Sequence, residues 1–124
     1  MSTRYHTATI ANGAAVSDAI SLINGERITG VIVPSAWTAA DIGFSVSVDG
    51  TTFYEVADVT RTTAGTSEAR IINVVTNAAA FYAVPAVMDL EFGGFVKLTS
   101  VNTANNADVN QGAARSLIVT ISKR

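Results

Sequence analysis

The stretch GFSVSVDGTTFYEV, residues 43–56, decides the fold class. Apolar Phe44, Val46 and Val48 alternate with polar Ser45, Ser47 and Asp49. A period of two belongs to a strand with one face on a core and the other in water. Asp49-Gly50 then supplies a turn, because Asp bonds its own downstream backbone and Gly takes positive φ without a Cβ clash. A second β-rich run, residues 53–58, follows at once, so the reading is a hairpin with Phe44, Val46 and Val48 in the core.

The same grammar extends outward. Residues 3–10 and 16–22 are strand-like runs closed by Asn12-Gly13 and Asn24-Gly25. Residues 28–33 (ITGVIV) are apolar on both faces and stop at Pro34, which lacks the N–H needed to extend a ladder, so they predict an interior strand buried on both sides. Residues 34–41 predict an irregular connection with Trp37 over the core. Downstream, residues 60–65 read as an exposed loop and 68–75 as strand. Residues 81–84 and 87–92 are strand-like, but Ala78 to Ala80 reads equally as a helix start and Pro85 interrupts the run. Residues 95–100 form another strand, and residues 101–114 are an Asn- and Ala-rich loop without periodicity. The last run, residues 115–122, puts Leu117, Val119 and Ile121 on one face. The expected fold is all-β: an antiparallel β-sandwich, jelly-roll-like, of about eight or nine short strands in one domain covering residues 1–124.

Composition bounds the chemistry. At 124 residues, 48% hydrophobic and 15% charged, the chain can bury one core. Its eight Lys and Arg are scattered and the net charge is −2, so no nucleic-acid footprint is expected. No run approaches the roughly 20 apolar residues of a membrane span, and the first residues lack a secretory signal, so a soluble, cytosolically made protein with no membrane partner is expected. Cysteine is absent, which removes disulfides and thiolate chemistry. His6 is the single histidine, too isolated for a transition-metal site. Asp89 and Glu91 would share one strand face, but two like charges there read as solvated rather than as a glycosidase pair. Asp49 reads as a turn residue rather than a calcium ligand. Trp37, Tyr54 and Tyr82 are candidates for a sugar-stacking platform. Arg4-Tyr5-His6 reads either as a recognition arm or as a first strand whose alternate residues meet water. No catalytic residue, metal or organic cofactor is expected.

Four stretches, ATIANGAAVSDAI (8–20), GVIVPSAWTAA (30–40), FSVSVDGTTF (44–53) and VNQGAARSL (109–117), resemble small structural proteins encoded among the head genes of tailed bacteriophages and gene-transfer particles. DGTTF alone also resembles discoidin-like, galactose-binding jelly rolls. The phage resemblance implies a non-enzymatic virion component of jelly-roll or sandwich fold, made in the bacterial cytoplasm and placed on or near the capsid. Its implied role is a decoration or cement protein or a head-fibre base, with a connector or tail subunit and a carbohydrate-binding module for a host-surface glycan as alternatives. The implied partner is the major capsid protein; copies of the chain itself, as a homotrimer, are expected from a separate argument, the local threefold sites of an icosahedral shell. Contacts are expected in residues 2–6, 34–41 and 101–114, at Arg4, Tyr5, His6, Trp37, Asn102, Asn105, Asn106, Asn110 and Gln111, where small neighbours permit close approach and amides bond.

Overall fold

A computed structural model of the chain describes residues 2–23, 25–56, 71–72, 79–84, 92–102 and 107–123, and every regular element among them is a strand. One sheet is four-stranded, in the order β1 (Ser2–Ile10), β10 (Arg115–Lys123), β3 (Glu26–Val33), β7 (Ala80–Ala83). The other runs β2 (Ile20–Ser21), β8 (Phe95–Asn102), β4 (Asp41–Ser47), β5 (Tyr54–Glu55), with β6 (Ile71–Ile72) added on β4 and β9 (Ala107–Asp108) on β8. Every pairing is antiparallel. The partners nest: β1 with β10, β2 with β8, β3 with β7 and β4 with β5. This is one long antiparallel hairpin folded over on itself, the jelly-roll form of the β-sandwich.

The core lies between the sheets. From the first sheet Ala8, Ile10, Ile28, Val31, Val33, Leu117, Val119 and Ile121 point inward, and Ile42, Phe44, Val96 and Leu98 meet them from the second. Ile28 and Val31 are three apart yet share the inner face because a bulge interrupts the β3–β10 register, Thr120 facing Gly30 and Ile121 facing Ile28. The extra residue, Thr29, restores the alternation. β3 is therefore interior to its sheet, as its composition indicates, but its outward side is not sealed: Ile32 is half-buried. Gly30 lies under the Phe81 ring, where a Cβ would collide.

Three expectations need correction. Val48 is 81% exposed, because β4 ends at Ser47 and the chain turns there. Ser47 Oγ accepts from Gly50 N at 2.9 Å and donates to Asp49 Oδ1 at 2.9 Å; Asp49 Oδ1 also accepts from Thr51 N and Thr52 N at 2.8 and 3.0 Å. Gly50 has φ +80°, as an Asp-Gly turn requires, and the predicted hairpin follows in the pairs Ser45–Glu55 and Val46–Tyr54. The backbone donors of Thr51 and Thr52 hold the Asp49 carboxyl below the usual range.

Residues 16–22 do not form a full strand. That segment carries the chain from one sheet to the other, bridging Ile10 through Ser17 and Thr99 through Val16 before the two residues of β2. Gly13 and Gly25 do take φ +78° and +81°, but the Gly25 turn leads from β2 into β3 of the opposite sheet rather than closing a hairpin. Nor are residues 101–114 simply a loop: Val101 is buried in β8, and β9 folds back onto it, Val101 facing Asp108. The expectations for residues 60–65, most of 68–75 and 87–91, with Asp89 and Glu91, lie outside the described residues, as do Asn105 and Asn106.

Candidate interaction surface

The residues singled out from sequence are spread over both sheets and the connections between them. Along β1, Arg4 and His6 face the interior with Ala8 and Ile10, while Thr3, Tyr5, Thr7 and Thr9 face outward. Tyr5 is 69% exposed. His6 is half-buried, and its Nε2 has no partner among the described residues.

Arg4 is committed to the fold. Its Nε donates to Glu26 Oε2 at 2.7 Å and its Nη2 to Glu26 Oε1 at 3.1 Å, while Nη2 also reaches the Ser21 carbonyl at 2.8 Å. Glu26 Oε1 further accepts from Ile23 N at 2.9 Å. The clamp joins β1 and β3 of one sheet to β2 of the other. The Arg4 guanidinium, aided by the Ile23 amide, lowers the Glu26 carboxyl from an ordinary 4.5 to about 2. Its folded-state pKa being depressed, the clamp stabilises fully above about pH 4.5 and is lost as pH falls toward 2. Glu26→Gln should cost about 1–2 kcal/mol at pH 7, between values for exposed and buried pairs. Urea unfolding at pH 7 and pH 2.5 should show that difference shrinking at the lower pH; a difference independent of pH would exclude the ionic clamp.

Two expected contact residues are interior. Trp37 is fully buried, with Nε1 donating to the Ala40 carbonyl at 3.2 Å. It therefore caps the core and presents no face to a partner or a sugar. Tyr82 packs against the core from β7, and Tyr54 alone of the three candidate platform aromatics is well exposed. Gln111 is 1% exposed, its amide spent on Thr38, Ser100 and Arg115. Its polarity reads from sequence as a surface amide, and only the three-dimensional neighbours reveal a cross-link. Asn102 and Asn110 are exposed.

The contact segments are only partly brought together. Residues 34–41 and 101–114 meet at one end, where Arg115 Nη2 donates to Thr38 Oγ1 at 3.2 Å and Gln111 Nε2 donates to the Thr38 carbonyl. The Asn12-Gly13 turn joins them there, through Gly13 N to the Gln111 carbonyl at 2.9 Å. Residues 2–6 lie at the other end of β1.

The sequence reading missed an outward apolar row on the first sheet. Ladder register aligns Thr7, Ile118, Ile32 and Phe81 across all four strands, with Tyr5 in the adjoining row. Ile118 and Phe81 are 39% and 55% exposed. Among the described residues no three of His, Asp and Glu converge on a common point.

Fold and surface define a jelly-roll β-sandwich whose inward polar side chains hold strands together. The chain matches no protein-family model, no curated protein and no solved structure.

Proposed function

We propose that this chain is a non-enzymatic structural subunit of a bacteriophage virion, attached to the capsid as a decoration or cement protein or as a head-fibre base. The observation that carries the reading is where the side chains go. Arg4, Glu26, Asp49 and Gln111 are engaged in holding the fold, whereas exposed Tyr5, Ile118 and Phe81 line an outward sheet face. A subunit of that kind presents surfaces rather than chemistry. The resemblance of four sequence stretches to phage head proteins supplies the setting and the partners, the major capsid protein and copies of itself. Asn102 and Asn110 are exposed at the ends of the β8–β9 region, where a capsid contact would reach them.

Quantitative mass spectrometry of purified particles tests the proposal. Copies on the order of hundreds per particle support shell decoration, and about six or twelve indicate a ring at a connector or tail. Absence from particles overturns the virion reading, and glycan-dependent retention of the isolated protein would favour the sugar-binding alternative. Asn110→Lys should leave the circular dichroism spectrum unchanged but lower occupancy about tenfold, the equivalent of ~1.4 kcal/mol at a contact.

A further inference from the structure

The open edge of the first sheet carries more information than its apolar face. Thr9 N donates to Asp18 Oδ1 at 2.7 Å, and Asp18 N donates to the Thr9 carbonyl at 3.2 Å. Both backbone groups of Thr9 thus point away from β10. In an antiparallel ladder the direction alternates with every residue, so Thr7, Tyr5 and Thr3 point their N–H and C=O groups the same way. These groups find no partner among the described residues.

An unpaired edge is a template for another strand, and natural edges are blunted by Pro, Lys, bulges or covering segments. Here Asp18 covers the Thr9 rung. Among the described residues no such device covers Thr3, Tyr5 and Thr7; all three are residue types that favour strands. Arg4, the inward charge of this segment, is already neutralised by Glu26. The opposite edge of the sheet is a poorer template. Val84 N donates to the Thr29 carbonyl at 2.9 Å, which fixes the alternation of β7 so that only Phe81 and Ala83 present backbone groups outward.

The free segment is symmetric about Tyr5. An antiparallel copy centred there opposes Tyr5 to Tyr5, Thr3 to Thr7 and Thr7 to Thr3, and every outward N–H meets a carbonyl. No other register uses all three residues on both strands. We propose that β1 is the self-assembly edge of this protein: two copies pair antiparallel through Thr3, Tyr5 and Thr7 about a twofold axis at Tyr5, joining two four-stranded sheets into one continuous sheet. The pairing is isologous. It sets the two exposed Tyr5 rings opposite each other as a cross-strand aromatic pair and makes the outward faces continuous. Assembly then grows by twos, unlike the threefold arrangement expected from the local threefold sites of a shell, and it does not depend on the virion reading.

Because the chain has no cysteine, single introduced thiols report the register without ambiguity. Opposed residues of a hydrogen-bonded antiparallel pair have Cα atoms about 5.5 Å apart, within disulfide range. Under mild oxidation Tyr5→Cys should cross-link to itself. Thr3→Cys and Thr7→Cys should each remain uncross-linked alone but join when mixed, since like positions are about 14 Å apart along the strands. Sedimentation equilibrium of the wild-type chain should show a monomer–dimer equilibrium between about 10 μM and 1 mM, as suits an interface smaller than the standard size. Thr7→Pro removes an edge donor while leaving the hydrogen bonds of β1 to β10 intact. It should weaken dimerisation at least tenfold with an unchanged circular dichroism spectrum. A wild-type protein that stays monomeric over that range, or forms trimers, overturns the proposal. So does cross-linking of Thr3→Cys to itself, or a dimer indifferent to Thr7→Pro.

Discussion

Phe44→Ala is expected to lower the free energy of unfolding by about 3–5 kcal/mol. Phe44 is fully buried on β4, opposite Leu98 of β8 in the ladder, and belongs to the cluster that includes Trp37 and Ile42. β4 is held between β8 on one side and β5 and β6 on the other, so its backbone cannot easily move to fill the space a lost ring would leave. The full cavity term therefore adds to the lost transfer free energy. A fall in melting temperature of roughly 12–20 °C should accompany it. Val48→Ala, four residues on and in the same alternating register, should change stability by less than about 0.5 kcal/mol, since that side chain is 81% exposed. Urea titrations of the two variants check the pair. Equal losses would mean that the period-two pattern, and not the end of β4 at Ser47, dictates which side chains are in the core.

That contrast shows where the sequence was legible. Alternation is a local signal, and it placed Phe44, Leu117, Val119 and Ile121 correctly in the core. Asp49-Gly50 correctly announced a turn, but where a strand ends depends on which oxygen takes over the backbone donors. Ser47 Oγ does so here, which puts Val48 in water. The Asn-Gly turns were equally visible as turns; that the Gly25 turn changes sheets was not, because a dipeptide states its φ and not the destination of the chain. The Thr29 bulge was hidden for a related reason. ITGVIV looks apolar on both faces when read with a strict period of two, whereas one inserted residue moves Val31 and Val33 to the same side as Ile28.

The candidate surface was less legible than the fold. Arg4, Tyr5 and His6 read either as an arm or as a first strand whose alternate residues meet water, and they lie in β1, where alternation sends Tyr5 outward and Arg4 to the side of Ala8. The partner of Arg4 is Glu26, which no local pattern connects to it. The row of Thr7, Ile118, Ile32 and Phe81 draws on four strands, so it exists only once the ladder register is known. Trp37 covers the core, as its place after Pro34 indicates, and is no exposed platform; amide character suggests exposure for Gln111, whereas its side chain is spent on internal hydrogen bonds around Thr38.

Gln111→Leu should destabilise the protein by about 3 kcal/mol, although the two side chains are similar in volume and little cavity results. The Gln111 amide uses its whole hydrogen-bonding capacity: Oε1 accepts from Thr38 N at 2.9 Å and from Arg115 Nε at 3.3 Å, and Nε2 donates to Ser100 Oγ at 2.8 Å and to the Thr38 carbonyl at 3.2 Å. Leucine leaves those partners behind. Ser100 is fully buried and cannot turn to water, whereas Thr38 and Arg115 are only half-buried and recover part of their bonding from solvent. Each stranded buried group costs about 1–3 kcal/mol, so the total comes chiefly from the Ser100 hydroxyl, with smaller additions from the half-buried Thr38 and Arg115 groups. Ser100→Ala should consequently cost less in the Gln111→Leu background than in the wild type, the non-additivity expected of residues that share a hydrogen bond. A double-mutant cycle by urea unfolding measures it. Were Gln111 instead a capsid contact, the same substitution would leave unfolding unchanged and lower occupancy on particles. The cross-link account predicts instead that the isolated protein loses stability before any partner is present.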